Sequence, residues 1–290
     1  MVDAQNNPRR RPRVGCVSYL NAKPLIHGLD PEDVSLSLDV PSRLIDRLLA
    51  VPAGEDASGG VDLALCSIVD HFHHPERTRL VPVGGIACEG PTLTVRLFSR
   101  VPIEQLTTIH ADTDSHTSVL LLRVLLHDLY GLTPELIHYD TRAPQTASET
   151  FFPGAMLLIG DTVVTRAPAA TVYYYQLDLG AAWHDLTGKP FVFATWLARA
   201  QEDATDLDGL PTRLAEQLDL NLGRLDEIVA TYAAPHGWPA DLAADYLGRI
   251  LRYTIGPREL DAIEYFRGRL RALGLIAADP ATPQAQQQQQ

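Results

Sequence analysis

Short apolar runs alternate along this chain with stretches whose apolar positions recur every three to four residues. The first pattern reads as strand and the second as helix. Arg13–Val17, 34–40, 61–66, 93–98, 107–111, 156–159 and 191–197 are the strand-like runs. Met156–Ile159 is apolar throughout, as a strand covered on both faces would be. Pro41-Ser42 opens a helix with Leu44, Ile45, Leu48 and Leu49 on one face, and Ser67-Ile68-Val69-Asp70 starts a shorter one. Val119–Leu129 is a strongly apolar helix, with Asp114, Ser115, Thr117 and Ser118 crowded at its start. The stretch 52–60 reads as a surface loop and 171–190 as aromatic, turn-rich material. From Leu210 to Leu275 the pattern is almost purely helical, with starts expected near Pro239 and Pro257.

Strands alternating with helices predict an α/β protein with mostly parallel sheets. Extended crossings near 98–102 and 190–197 would divide it into two lobes, residues 13–100 with 191–275 and residues 101–190. A single doubly wound domain satisfies the same pattern. The Pro- and Asn-rich segment 1–12 and the Pro-, Ala- and Gln-rich segment 277–290 are expected to be flexible tails.

Composition narrows the function. The net charge is −12, and the one basic cluster, Arg9-Arg10-Arg11 with Arg13, lies in the leader. No basic stripe is present to neutralise phosphates, so a nucleic-acid partner is not expected. Cys16, Cys66 and Cys88 are odd in number, show no metal-ligand spacing and sit in apolar runs, so they read as small buried hydrophobes. His71, His73 and His74 lack matched acidic or cysteine partners and read as a solvated loop, so no metal is expected. No stretch is long and apolar enough to span a bilayer, and Asn21, Lys23 and Pro24 interrupt any signal-peptide core. A cytoplasmic protein without a membrane partner is the expectation.

Candidate chemistry gathers where strands end, since ligands of open α/β sheets bind at the carboxyl ends of strands. The richest such junction is Ser18-Tyr19-Leu20-Asn21-Ala22-Lys23-Pro24, directly after the first strand. Ser18 and Tyr19 either face a pocket or pack at the strand end. Asn21 either contacts a ligand, where its amide can donate and accept, or caps a helix. Ser115, Thr117 and Ser118 open the long helix, where free N–H groups and the dipole suit a carboxylate, and one cap would account for only one hydroxyl. Ser67, Asp70 and Asp161 follow buried strands, and Asp70, Asp161 and His116 are the candidate bases, with capping or lobe-bridging as the alternative for the aspartates.

These residues also carry a resemblance. The run Val17-Ser18-Tyr19-Leu20-Asn21 with Pro24, then Gly90-Pro91, then Leu158-Ile159-Gly160-Asp161, and finally Leu186–Ala194 with Trp196, is similar to the chorismate dehydratases of the futalosine route to menaquinone. The likeness runs from about Arg13 to Gly274. The Ser-Pro-Cys-Pro-Asn-Asp opening of a sister family later in that route is absent. The resemblance implies a two-lobed fold like the type II periplasmic binding proteins, no cofactor, and chorismate as the small-molecule substrate. It implies loss of the C3 hydrogen and the C4 hydroxyl to give 3-enolpyruvylbenzoate, with aromatisation as the driving force. It further implies catalytic roles for Asn21 and Thr94, and substrate contacts for Ser18, Tyr19, Ser67, Ser115, Thr117, Ser118 and Asp161. Thr94 stands where relatives commonly carry serine. No strong base occupies the strongest motif positions, which leaves the substrate's own enolpyruvyl carboxylate as the alternative base. A non-catalytic carboxylate-binding protein or sensor on the same scaffold is the rival from another class.

Overall fold

The computed structural model describes residues 11–50, 59–112, 115–140, 153–201, 207 and 209–277. Most of both expected tails and of the 52–60 loop, together with Asp114, lies outside the described residues.

The chain begins with β1 (Arg13–Val17), a 3-10 turn (Leu20–Ala22), α1 (Lys23–Ile26), β2 (Ser35–Asp39), α2 (Pro41–Leu49), β3 (Leu63–Ser67), α3 (Ile68–His73) and β4 (Thr78–Cys88). It continues through β5 (Val95–Ser99), β6 (Thr108–Ala111), α4 (His116–Tyr130), β7 (Glu135–His138), β8 (Ala155–Ile159), α5 (Thr162–Thr165), β9 (Tyr175–Asp178) and α6 (Leu179–Thr187). The last part holds β10 (Phe191–Arg199), α7 (Leu210–Leu222), α8 (Leu225–Tyr232), α9 (Ala240–Asp245), a π-helical turn (Tyr246–Ile250), β11 (Leu251–Arg252) and α10 (Pro257–Ala272).

Two sheets result. One has six strands in the order β11-β4-β10-β3-β1-β2, and the other has five in the order β7-β6-β8-β5-β9. Pairing is parallel within the β/α units, β1 with β2 and β3, and β6 with β7 and β8. The strands that enter or re-enter a sheet at a crossing run antiparallel, β5 against β8 and β9, and β10 against β3 and β4. The sheets are therefore mixed, and the expected parallel character holds only inside those units. A crossing strand arrives from the other lobe without a helical return, so nothing constrains it to run parallel.

The first crossing lies earlier than the expected 98–102. Val95–Ser99 pairs with β8 and β9, so the chain leaves the first sheet between Cys88 and Val95. The break is local. Gly90 has φ +102, Pro91 follows, and Leu93 is the one non-glycine residue with positive φ among those described. Asp178 holds this strained segment by accepting from Thr92 N at 2.9 Å and Leu93 N at 2.8 Å. β10 then returns the chain to the first sheet.

Two main cores form, and they do not divide cleanly by lobe. Val14, Leu44, Leu65, Trp196 and Leu247 belong to the first. The second joins Leu97, Leu122 and Leu157 of the five-stranded side to Val69, Phe191 and Phe266. The apolar face of α4 thus seals against elements of both lobes. All three cysteines are buried, as read from the sequence. His71 and His73 lie on α3 and not in a loop, and His71 Nδ1 meets Thr78 Oγ1 at 2.9 Å.

Candidate active site

β1 ends at Val17 and the chain tightens at once into the 3-10 turn. Tyr19 caps that turn with its backbone and Ala22 caps α1, and neither uses a side chain. Pro24 sits in the first turn of α1, where its missing N–H leaves no gap. Asn21 lies inside the 3-10 turn, so the capping alternative does not apply to it. Its Oδ1 is buried with no hydrogen-bond partner. A buried, unpaired carbonyl is costly in an empty protein and satisfied by a ligand donor.

Asn21 lines a narrow cleft between the sheets, with about 60 Å³ of room for water-sized atoms. Leu65, Ile86, Val95, Ile159 and Phe193 supply apolar wall. Tyr19, Asn21, Ser67, Thr92 and Thr94 bring polar groups from the strand ends and crossings, and Ser115, Ser118 and Tyr246 bring them from helical elements. Among the described residues, no charged side chain lines the cleft. Pro41 and Ser115 also line it, so the N-terminal turns of α2 and α4 bring positive dipole ends to the rim.

Thr94 is 2% exposed, immediately after the strained crossing. Its Oγ1 lies 2.7 Å from Tyr246 Oη. Tyr246 was not singled out from the sequence, because its neighbourhood reads as ordinary helix. It begins the π-helical turn, is 1% exposed, and stacks on Trp238 at 4.8 Å with 19° between the planes. Burial pushes the Tyr246 phenol well up from its ordinary range, and hydrogen bonds from Thr94 and Asn21 offset part of that rise. The group is a neutral phenol at any ordinary pH.

Ser115 caps α4 by accepting from Ser118 N at 3.3 Å, and the two hydroxyls lie 2.8 Å apart. Both line the cleft. Thr117 does not. Its Oγ1 accepts from Val69 N at 3.4 Å, tying α4 to α3 from a fully buried position. Ser18 is exposed and outside the cleft, because the turn after Val17 directs it to solvent. Asp161 also stands apart, since it is not among the lining residues. Its carboxylate accepts from Trp238 Nε1 at 3.0 Å and from Leu20 N at 3.3 Å, and pairs with His236 Nδ1 at 2.8 Å. It bridges the lobes. Asp70 and His116 meet at 2.6 Å, also away from the lining. None of the three candidate bases is in the cleft wall.

A family model described as menaquinone biosynthesis matches residues 12–272. A curated chorismate dehydratase of Thermus thermophilus is 31% identical over 289 residues, covering 94% of this chain and all of that relative. Among solved structures, a protein of Archaeoglobus fulgidus superposes with a TM-score of 0.69 at 15% identity, over 92% of this chain and 98% of its own. The periplasmic aliphatic sulphonate binding protein of Escherichia coli gives 0.61 at 17% identity, over 93% and 94% of the two chains. These distant structures establish the fold, the two-lobed architecture of substrate-binding proteins. With nearly its whole described length matched by the family model, and a close-length curated relative beside it, the chain belongs to the menaquinone-biosynthesis family of the chorismate dehydratases.

Proposed function

We propose that the protein is a chorismate dehydratase, a hydro-lyase acting in the cytoplasm that converts chorismate to 3-[(1-carboxyvinyl)oxy]benzoate and water. The observation that carries the reading, beside family membership, is a cleft between the sheets lined by hydroxyls and one amide, with no carboxylate, histidine or lysine in its wall among the described residues. Such a site holds an anion by neutral donors and helix dipoles, and leaves proton removal to the substrate. The enolpyruvyl carboxylate, attached beside C3, takes the C3 hydrogen. Negative charge spreads into the ring carboxylate, the C4–O bond breaks, and the ring becomes aromatic. Asn21 and Thr94 meet the departing oxygen, and Tyr19, Ser67, Ser115 and Ser118 hold the rest of the substrate.

The reading includes closure. One lobe comprises residues 13–88 with 191–277 and the other residues 95–187, and chorismate draws them together to exclude water. Small-angle scattering should show a smaller radius with a stable chorismate analogue, and an unchanged radius would remove the hinge from the account.

The deciding experiment is turnover. Incubation with chorismate should yield an aromatic product lighter by one water, read by absorbance and mass spectrometry. A protein that binds chorismate and returns it unchanged is a binder or sensor, the rival reading on this fold. Asp70→Asn and His116→Gln should leave turnover largely intact. Abolished turnover with intact binding in either would return the base to the protein.

A further inference from the structure

The cleft contains a polar group that neither the motif nor the proposed chemistry has yet used. Tyr246 comes from the helical C-terminal third, 152 positions from Thr94, and its hydroxyl ends beside the Thr94 hydroxyl and the Asn21 amide. Three features hold it there. The π-helical turn beginning at Tyr246 widens the helix locally, a distortion common at functional sites. Trp238 lies flat against the ring. Trp238 is itself fixed through its N–H to Asp161, which also accepts from Leu20 N, the residue next to Asn21. One carboxylate thus sets the position of both Asn21 and the platform under Tyr246.

Elimination creates a need that this arrangement meets. Hydroxide is a poor leaving group, so a donor must stabilise or protonate the oxygen as the C4–O bond breaks. The Asn21 Oδ1 is an acceptor and can only hold the hydroxyl in place by its own hydrogen. Thr94 has one proton. With Tyr246 donating to Thr94 Oγ1, that proton is held only by a long 3.5 Å contact to Thr92 O, which it can give up for an oxygen in the cleft.

We propose, resting on the dehydratase reading, that Tyr246 is the proton reserve for the departing hydroxyl and acts through Thr94 as a positioning and relay residue. As the C4–O bond breaks, its electron pair leaves with oxygen, which takes the Thr94 proton and becomes water. Thr94 takes the Tyr246 proton. The phenolate is reprotonated by the carboxylic acid formed when the substrate removed its own C3 hydrogen. Protein and net charge return to their starting state, and no other reactant is required. Burial disfavours the Tyr246 phenolate, so once the proton has passed to Thr94 the phenolate is promptly reprotonated.

Tyr246→Phe keeps the ring and its stack on Trp238, and removes the hydroxyl alone. It should lower kcat on the order of 10²-fold, with KM within about threefold and an unchanged melting temperature. Thr94→Val should behave alike, Thr94→Ser should stay near wild type, and Thr94→Val with Tyr246→Phe should be no worse than the poorer single variant. Wild-type kcat in Tyr246→Phe overturns the relay. So do losses that multiply in the double variant, or a loss confined to KM or to thermal stability. Wild-type protein that binds chorismate without forming product overturns the dehydratase reading itself, a result seen before any Tyr246 variant is assayed.

Discussion

The ends of β1 and β8 lie against each other across the lobes, and the two ends do opposite things. At the β1 end, Asn21 lines the cleft and keeps a buried carbonyl oxygen with no partner. At the β8 end, Asp161 has committed its carboxylate to Leu20, His236 and Trp238 and faces no ligand space. Gly160 lets the ends meet. Its φ is +60, and a Cβ there would sit 3.2 Å from the Tyr19 ring. The difference teaches how to tell a working polar group from a bracing one at a strand end. The first retains hydrogen-bonding capacity in a buried place, and the second has none to spare.

The largest effect should fall on the unsaturated side. Asn21→Ala should lower kcat by roughly 10²–10³ while the melting curve stays in place. Normal turnover with a lowered melting temperature would reverse the comparison. Asp161→Ala should instead lose stability, by about 2–3 kcal/mol, because it strands three donors around a largely buried site. Urea unfolding measures this, and unaltered stability with abolished turnover would return Asp161 to the substrate. Gly160→Ala should cost roughly 1–2 kcal/mol from the left-handed backbone alone and raise KM by displacing Tyr19. An unchanged KM would mean that Tyr19 does not shape the cleft. The smallest change is expected for Thr117→Val, about 1 kcal/mol from an orphaned Val69 N–H, with kcat unaffected. A fall in turnover would show that Thr117, and not only Ser115 and Ser118, serves the ligand.

Legibility in the sequence followed locality. α2 and β8 stood out because their apolar patterns, and the opening proline of α2, are contained within the element itself. β4 did not, since Pro82, Gly84 and Gly85 interrupt an eleven-residue strand. Its reason lies on β10, where a Cβ at Gly85 would stand 2.5 Å from Ala194 O and the register slips between Val192 and Ala194. β9 and α6 were hidden within turn-rich sequence, and Asp178, which caps α6 and pins Leu93, does its work through contacts 85 residues apart. Within the helix start at 115–118 the sequence displayed three hydroxyls, all of them candidate contacts. Folding turns Ser115 and Ser118 to the cleft and spends Thr117 on α3.

The sequence by itself determined the α/β class, the run of polar residues after β1, the family, and a set of strand-end groups from which a neutral site could be built. Those are properties of composition, spacing and short-range conformational preference. Tertiary structure alone decided which of these groups retain hydrogen-bonding capacity, that the candidate bases stand outside the cleft wall, and that Tyr246 joins Thr94 from 152 positions away. Burial and hydrogen-bond saturation depend on partners brought in by the whole fold, and no local pattern encodes which donor will arrive.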